Sequence, residues 1–281
     1  MTQLVRSRAE LAAARVRSSG VAGVVMTMGA LHDGHRELIR VARDRCELTI
    51  VTVFLNPLQF GAGEDLSRYP KTLESDLALC TAENVDIVFA PTVSEVYPES
   101  EPQVRVSAGP LGDVLEGASR PGHFDGVLTV VAKLLHLTGA GVAYFGQKDA
   151  QQLLLIRRMV KDLDFPCEVV AVPTVRDPDG LALSSRNGYL SAEDRTVALA
   201  LSRALRAGAA AAPEGPAAVR RVTADVLRDQ SGVDVDYLVL ADPVNLHDVP
   251  EDFAGAALLA VAARVGTTRL IDNLVVTLGG R

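Results

Sequence analysis

The sequence predicts an α/β protein in which a doubly wound parallel sheet is followed by a smaller α+β domain. Through the first 175 residues, short runs rich in β-branched residues alternate with amphipathic helical stretches. Continuous apolar strands separated by such helices are typical of a parallel sheet covered on both faces. After Pro173 the chain becomes rich in turn residues, and two alanine-rich stretches precede three strand-like runs. We therefore predict domains over 1–175 and 176–281.

Each predicted element follows from local periodicity and from the turn residues that bound it. In the first domain we predict strands at 21–26, 48–55, 87–90, 142–145 and 168–172. Helices are predicted at 34–45, 72–83, 126–137 and 150–163, and the N-terminal 1–19 is expected to be helical. In the second domain we predict helices at 192–207 and 216–230 and strands at 236–240, 257–264 and 268–276. Ligands of parallel sheets bind beyond the carboxyl ends of the strands, so functional residues are expected there.

The amino-acid composition limits which kinds of partner and which cellular location the protein can have. Of the 281 residues 48% are hydrophobic and 22% are charged, so the chain can bury a sizeable core. A net charge of −7 and a pI near 5.3 argue against nucleic acid or an anionic membrane as the main partner. No stretch approaches the roughly 20 apolar residues of a membrane span, the N-terminus lacks a signal-peptide core, and the three cysteines show no metal-ligand spacing. We expect a cytoplasmic protein in a reducing compartment, without a membrane partner.

Two histidines, His32 and His35, follow the predicted strand at 21–26 and begin the predicted helix at 34–45. The first N–H groups of a helix have no partner within it, and the helix dipole favours negative charge there. Two imidazoles at that point add hydrogen bonds to phosphate oxygens. The H-x-G-H pattern therefore indicates nucleotide chemistry at an α-phosphate. The alternative is a pair of ordinary surface or capping histidines, since four-residue motifs often occur by chance.

Further polar residues follow other predicted elements of the first domain. Asn56 and Gln59 come after the second strand, where amides can hold a hydroxyl or carboxylate; the alternative is an Asn-Pro turn with an incidental glutamine. Asp76 is a candidate for contact with Mg²⁺ through water, although the acidic stretch around it also fits a solvated first helix turn. Arg120 can clamp a phosphate or carboxylate, and His123 is expected to brace its turn.

Two more segments carry groups that can bind phosphate. Lys148 and Asp149 follow the fourth predicted strand; the lysine suits a phosphate, and the aspartate suits a ribose hydroxyl or fixes the lysine. Gln152, one turn into the next helix, is predicted to reach the same pocket as Gln59. The loop at 184–186 supplies two hydroxyls and a guanidinium near the domain boundary. Each segment alone also fits surface or capping residues, but four phosphate-competent turns in one doubly wound chain are hard to explain by chance.

In order and spacing these segments resemble the pantothenate synthetase (pantoate–β-alanine ligase) family from about residue 20 to the C-terminus. The resemblance is carried by Thr27-Met-Gly-Ala-Leu-His-Asp-Gly-His35, Asn56-Pro-Leu-Gln-Phe60, Tyr69-Pro-Lys-Thr-Leu73, Gly122-His-Phe124, Gly146-Gln-Lys-Asp149, Gln151-Gln152, Asp179-Gly-Leu-Ala-Leu-Ser-Ser-Arg-Asn187, Asp236-Tyr-Leu238 and Arg269-Leu-Ile-Asp-Asn273. It implies a Rossmann-like ATP domain of the H-x-G-H nucleotidyltransferase superfamily, a C-terminal lid domain and a homodimer.

The implied reaction has two steps and uses ATP as co-substrate with Mg²⁺. The carboxylate of (R)-pantoate attacks the α-phosphate, giving pantoyl adenylate and pyrophosphate. The amine of β-alanine then attacks the adenylate, giving pantothenate and AMP. The alternative is a nucleotidylyltransferase that joins AMP to a phosphorylated acceptor, and a third interpretation is a catalytically silent nucleotide sensor. The Gln59 and Gln152 pair suits the first better than the second, and the presence of Lys148 and both histidines argues against the third.

Site residues are carried over by position. The ATP site is predicted to comprise Met28, Gly29, Ala30, Leu31, His32, Asp33, Gly34, His35, Gly146, Gln147, Lys148, Asp149, Val175, Leu183, Ser184, Ser185 and Arg186. The residues assigned to catalysis are His32, His35, Lys148, Ser184 and Arg186, with His35 as the family's proton donor. The residues assigned to pantoate and β-alanine are Asn56, Gln59, Arg120 and Gln152, and the magnesium-side carboxylate is Asp76.

The chain departs from the family pattern at a few positions. Met26 stands where a proline is frequent, Gln147 replaces an acidic residue, Ala150 a tyrosine and Leu183 a methionine, and Asp125 occupies a position where basic or small residues are common. Leucine for methionine preserves volume and costs under about 1.5 kcal/mol. None of these changes removes a charged or amide group from the proposed chemistry, so we expect an active enzyme.

Overall fold

The computed structural model describes residues 1–16, 20–61 and 65–279. They form two compact units, the first comprising Met1–Gln147 and Gln151–Pro173 and the second comprising Lys148–Ala150 and Thr174–Arg281. The second unit begins two residues before the predicted boundary. It also includes the short segment Lys148–Ala150, which no local sequence pattern assigns to it.

A six-stranded parallel sheet forms the centre of the first unit. Its strands are β1 Gln3–Val5, β2 Ala22–Thr27, β3 Leu48–Val53, β4 Ile87–Phe89, β5 Val142–Gly146 and β6 Glu168–Val172. Their order is β1-β4-β3-β2-β5-β6, and all neighbours are parallel. The predicted doubly wound parallel sheet is confirmed, and the five strands predicted for it lie within two residues of their expected ends.

Helices connect the strands of this unit. They are α1 Arg8–Arg15, α2 Asp33–Arg45, α3 Leu73–Ala82, α4 Val93–Val96, α5 Glu116–Ser119, α6 His123–Thr138 and α7 Ala150–Asp162. Short 3-10 turns occur at Pro57–Gln59, Asp65–Ser67 and Gly109–Gly112. The helices α2, α3, α6 and α7 correspond to the four predicted between strands.

The apolar core lies in two layers, one on each face of the sheet. Successive residues of a strand point to opposite faces. Val24 and Ile50 are accordingly buried in one layer with side chains of α6, whereas Val25 and Val51 are buried in the other with Ile39 of α2. The continuous apolar runs of the sequence are thus explained, because both faces of these strands are covered.

The N-terminal segment differs from expectation. A helix is predicted over the whole of 1–19, but Gln3–Val5 pairs with β4 as an edge strand and the helix begins at Arg8. Ser7 caps this helix, since its hydroxyl accepts a hydrogen bond from the N–H of Glu10. Three residues are too few to carry a periodicity, so only the pairing reveals this strand. Residues 17–19 of the predicted helix lie outside the described residues.

The second unit packs two helices against an antiparallel sheet, which agrees with the α+β composition predicted for it. The strands are β7 Val233–Ala241, β8 Gly255–Val265 and β9 Thr268–Leu278, in that order, and the helices are α8 Ala192–Ala210 and α9 Pro216–Arg228. Their apolar core includes Leu201, Leu205 and Leu259. Among the helices of the described residues, none is long and apolar enough to span a membrane.

Candidate active site

The carboxyl ends of β2 and β5 meet at the centre of one edge of the parallel sheet. From β2 the strand order runs through β3 and β4 to one side, whereas β5 and β6 lie on the other. The order therefore reverses between β2 and β5, and such a point leaves a crevice outside the strand ends. The loop over 28–32, called the nucleotide loop below, joins β2 to α2 and carries the start of the H-x-G-H motif. Gly146–Gln147, the second predicted nucleotide-binding segment of the first unit, lies at the end of β5, so the two share this edge.

His32 and His35 cap the start of α2 reciprocally. Nδ1 of His32, the N-cap residue, accepts a hydrogen bond from the N–H of Gly34 at 3.1 Å. Nδ1 of His35 accepts one from the N–H of His32 at 3.2 Å, and the ring centroids are 4.1 Å apart. Because each Nδ1 is an acceptor, each neutral ring carries its hydrogen on Nε2. The two interpretations of these histidines are therefore compatible: they cap a helix and also offer donors to an anion.

His35 is uncharged at neutral pH. Enclosure of its ring by protein, with a smaller contribution from the charge of neighbouring His32, lowers the pKa of His35 from 6.5 to about 3. A neutral ring keeps Nδ1 available to accept the hydrogen bond from His32. His35 can therefore donate a hydrogen bond from Nε2 without carrying a positive charge.

Asp76, which lies in α3, holds the loop between β2 and α2. Its carboxylate is 2% exposed and accepts the N–H groups of Ala30 at 3.1 Å and Leu31 at 2.8 Å, together with the hydroxyl of Thr72. Gly29 and Ala30 have left-handed φ values of 90° and 53°. This conformation costs a non-glycine residue about 1–2 kcal/mol. The buried carboxylate stabilises the turn by accepting its N–H groups, and the hydroxyl of Thr72 accepts the N–H of Ala30 as well, at 3.1 Å.

These contacts do not fit a magnesium ion held by the protein at Asp76. Both carboxylate oxygens already accept hydrogen bonds from the protein. Within the described residues, no group of three His, Cys, Asp or Glu side chains is placed to hold a metal ion. Mg²⁺ requires near-octahedral oxygen coordination and usually takes it from waters, substrate phosphates and one or two carboxylates. The structure therefore supports a role for Asp76 in supporting the loop.

Asn56 positions the amide of Gln59. Its Nδ2 donates to Oε1 of Gln59 at 3.0 Å and to the carbonyl of Gly126 at 3.1 Å, and its Oδ1 accepts from the hydroxyl of Tyr97 at 3.0 Å. Nε2 of Gln59 in turn points to Sδ of Met28 in the nucleotide loop, at 3.2 Å. A thioether is a weak acceptor, so a substrate oxygen can replace it. Both Asn56 amide hydrogens are engaged within the protein, which favours an indirect role for this predicted substrate residue.

Arg120 and His123 hold the main chain of Gln59. Nη1 of Arg120 donates to Nε2 of His123 at 2.9 Å, and Nη2 donates to the carbonyl of Gln59 at 3.3 Å. Because arginine is always protonated, Nε2 of His123 must accept, and its Nδ1–H donates to the same carbonyl at 2.8 Å. His123 braces the turn, as expected. The direct contact of Arg120 with a substrate stays a prediction.

The adjacent glutamines of α7 have different environments. Gln151 is 6% exposed and its amide donates to the carbonyls of Leu111 and Val114 at 2.9 and 2.8 Å, so it supports a loop. Gln152 is only partly buried. Sequence reasoning does not assign Gln151 a structural role, because no pattern separates two identical neighbours. The pocket predicted to be shared by Gln59 and Gln152 stays a prediction.

The remaining predicted site residues belong to the second unit. Nζ of Lys148 lies 3.9 Å from a carboxylate oxygen of Asp149, and the lysine side chain is 18% exposed. Ser184 caps the 3-10 turn Ser185–Tyr189, its hydroxyl accepting the N–H of Arg186 at 3.3 Å. The capping interpretation of this serine is therefore correct locally, and its role toward phosphate stays a prediction.

Comparison with known proteins identifies the relatives of this chain. The model of the pantoate–beta-alanine ligase family matches residues 2–275. A pantothenate synthetase from Salinispora arenicola (strain CNS-205) is 59% identical over 281 residues, which cover 99% of each chain. Another, from Thermobifida fusca (strain YX), is 55% identical over 284 residues, which cover 98% of this chain and 96% of the relative.

Solved structures agree in fold. The crystal structure of pantothenate synthetase from Thermus thermophilus has a TM-score of 0.92 and 49% identity, covering 97% of this chain and 98% of that one. The pantoate–beta-alanine ligase from Francisella tularensis, complexed with beta-gamma ATP and beta-alanine, has a TM-score of 0.81 and 31% identity, covering 98% and 97%. With the family model matched over nearly the whole chain, this protein belongs to the pantoate–β-alanine ligase family.

Proposed function

We propose that this protein is an ATP-dependent ligase that condenses (R)-pantoate with β-alanine, giving pantothenate, AMP and pyrophosphate. The observation that carries the proposal is the reciprocal cap of α2 by His32 and His35. The same loop is hydrogen-bonded through Met28 to the amide of Gln59. Family membership supports the choice of substrates, and a relative has been crystallised with beta-gamma ATP and beta-alanine.

In the first step, a carboxylate oxygen of pantoate bonds to the α-phosphorus of ATP. The bond from that phosphorus to the bridging oxygen breaks, and pyrophosphate leaves with the electron pair. This step needs positioning and charge neutralisation, not a protein nucleophile. The positive end of the α2 dipole attracts the phosphate oxygens, and the Nε2–H groups of His32 and His35 donate hydrogen bonds to them.

His35 acts as a neutral donor in this step. With a pKa near 3, the ring lacks the acidic second proton of an imidazolium at neutral pH, so the family role of proton donor becomes donation of a hydrogen bond from Nε2–H. One such donor contributes about 3–4 kcal/mol to the transition state in comparable sites. Pyrophosphate is a stable leaving group and needs no proton transfer from the ring.

Pantoate binds at Gln59. The Asn56 amide occupies Oε1 of Gln59, so Nε2 is the group that remains to donate to a pantoate oxygen. The Arg120–His123 pair holds the main chain of the same residue. The second proposed amide, that of Gln152, completes recognition of the carboxylate and hydroxyl groups.

In the second step, the β-alanine amine attacks the carbonyl carbon of pantoyl adenylate. The bond between that carbon and the phosphate oxygen breaks, AMP leaves, and the nitrogen loses a proton to solvent.

We assign Lys148, Ser184 and Arg186 to the phosphates of ATP in the first step. Mg²⁺ would accompany ATP and neutralise charge on its phosphates, since both oxygens of Asp76 already accept protein hydrogen bonds and the described residues contain no cluster of three metal ligands.

Three further properties complete the proposal. We propose that the second unit acts as a lid, that the protein forms a homodimer, and that it works in the cytoplasm. Lids that close over a nucleotide exclude water and protect reactive adenylates from hydrolysis.

Isotope transfer tests the chemistry directly. Pantoate labelled with ¹⁸O in its carboxylate, supplied with ATP, Mg²⁺ and β-alanine, should give AMP that carries one ¹⁸O, because the carboxylate oxygen stays on phosphorus. Exchange of labelled pyrophosphate into ATP should require pantoate and no β-alanine. AMP release that does not depend on both substrates would exclude the ligase. Pyrophosphate release without free AMP, given a phosphorylated acceptor, would favour the nucleotidylyltransferase.

A further inference from the structure

Two buried polar residues in β9, Asp272 and Asn273, have no role in the reaction described so far. They are 4% and 8% exposed, within a strand whose neighbours are mostly apolar. Asparagine and aspartate are depleted in strands, and burying them is unfavourable unless their polar atoms are paired. The hydrogen-bond partners of Asp272 and Asn273 in the second unit therefore account for these two polar residues in a buried strand.

Asp272 fixes the hairpin that leads to Ser184. Its two carboxylate oxygens accept Nη1 and Nη2 of Arg176 at 2.6 and 2.8 Å. Arg176 forms an antiparallel bridge with Ala182, and Nη1 also donates to the carbonyl of Gly180 at 3.2 Å. This bidentate, nearly buried pair holds both strands of the hairpin, which closes with the hydrogen bond from the N–H of Leu183 to the carbonyl of Val175 at 3.0 Å.

Asn273 holds the lysine segment. Its Nδ2 donates to the main-chain carbonyl of Lys148 at 2.7 Å. The main-chain N–H of Asn273 donates to the carboxylate of Asp272 at 2.8 Å, so the backbone of Asn273 is tied to the same carboxylate that binds Arg176. The main chain of Lys148 is thereby fixed in the second unit, although the segment follows a strand of the first.

We propose that Asn273 is a positioning residue for ATP binding, acting through Lys148. The proposal rests on the proposed function, in which Lys148 binds the phosphates. A lysine side chain is flexible, so the place of its ammonium depends on where its main chain is held. The neighbouring Asp272 holds the hairpin that carries Val175 and Leu183 of the proposed ATP site. One dipeptide of β9 thus fixes both proposed phosphate-binding segments of the second unit.

A double-mutant cycle with Asn273→Ala and Lys148→Ala tests this role. We expect N273A to weaken ATP binding at least tenfold in the wild-type background, measured by calorimetry, and less than threefold in the K148A background. Residues that act as a unit are non-additive, whereas a general structural effect would be equal in both backgrounds. Equal losses in both backgrounds, or no loss in either, would overturn the proposal.

Two controls keep the outcomes separate. Thr268→Val removes a buried hydroxyl at the start of the same strand. Even if it lowers the melting temperature as much as N273A does, it should leave ATP affinity unchanged. Pantoate-dependent pyrophosphate exchange, measured on the wild type, tests the proposed function by itself. If the wild type binds ATP but shows no exchange, the ligase proposal fails while the cycle still decides the role of Asn273. If the wild type does not bind ATP, both proposals are wrong.

Discussion

The N–H groups at the start of α2 could be capped by serine or aspartate, which are the residues that helices prefer there. His32 and His35 satisfy the same groups through Nδ1 and so fix the hydrogen of each ring on Nε2. Aspartate, which only accepts hydrogen bonds when ionised, would leave no donor for an anion. At the scale of single residues, the hydrogen bonds that begin the helix therefore also prepare the proposed catalytic donors.

Replacing His35 by alanine should reduce adenylation strongly. We expect His35→Ala to cost about 3–4 kcal/mol of transition-state stabilisation, mostly in kcat, because one donor to the developing charge is lost. Rates of pantoate-dependent pyrophosphate exchange measure this. Exposed His136 in α6 provides the matched control, and His136→Ala should leave the rate unchanged. An unaltered rate in His35→Ala would exclude the role.

The pKa of His35 also predicts how stability depends on pH. The ring is neutral in the folded state down to about pH 3, whereas an unfolded histidine binds a proton below about pH 6.5. The unfolded state thus binds more protons, and the contribution of His35 to stability is present above pH 6.5 and lost as the pH falls toward 3. Urea midpoints should show the advantage of the wild type over His35→Gln shrinking between pH 7 and pH 4. If the urea midpoints of the two proteins changed in parallel with pH, the lowered pKa of His35 would be contradicted.

At the scale of elements, the nucleotide loop depends on a helix that is distant in the sequence. The turn after β2 contains two residues with left-handed φ, and Asp76 from α3 binds its N–H groups. The N-terminus of α2 is therefore held from both sides, by its own histidines and by α3. The Asn56 turn is supported in the same way by α6, through the carbonyl of Gly126.

Substituting Asp76 distinguishes loop support from metal binding. Asp76→Asn places an amide N–H against a main-chain N–H, and an unsatisfied buried group costs about 1–3 kcal/mol. We expect a lower urea midpoint and a higher KM for ATP, with an unchanged dependence on the Mg²⁺ concentration. Thr72→Val removes the hydroxyl that donates to this carboxylate and accepts the N–H of Ala30, but it keeps the carboxylate. Its urea midpoint and KM for ATP should lie between those of Asp76→Asn and the wild type. A shift confined to the Mg²⁺ dependence would instead support a metal ligand.

At the scale of the whole molecule, we expect two copies of the chain to associate. The resemblance to pantothenate synthetases implies a homodimer, so light scattering should give twice the chain mass of 29.8 kDa. An obligate dimer keeps this mass on dilution, because its folding and assembly are linked. A constant monomer mass at micromolar concentration would contradict this.

Local patterns were sufficient for most of the fold. Apolar runs such as the one around Val24 and Val25 are buried on both faces, and alternation with amphipathic helices requires the parallel sheet that is observed. The edge strand at Gln3–Val5 escapes such reasoning, because a three-residue strand is defined by its partner. The histidine pair could be assigned to a helix start from sequence, since capping is a local interaction.

The sequence by itself therefore determined the fold class, the position of the histidine cap and the family. Only the tertiary structure decided which polar residues support others. Asp76 lies 46 residues from Ala30, yet a hydrogen bond joins the two. Asn273 lies 125 residues from Lys148, and a hydrogen bond joins that pair as well. Propensity and periodicity act over a few residues, whereas these pairs form only when packing brings distant segments together. For that reason the sequence alone does not distinguish the residues proposed to contact substrate from those that hold them in place.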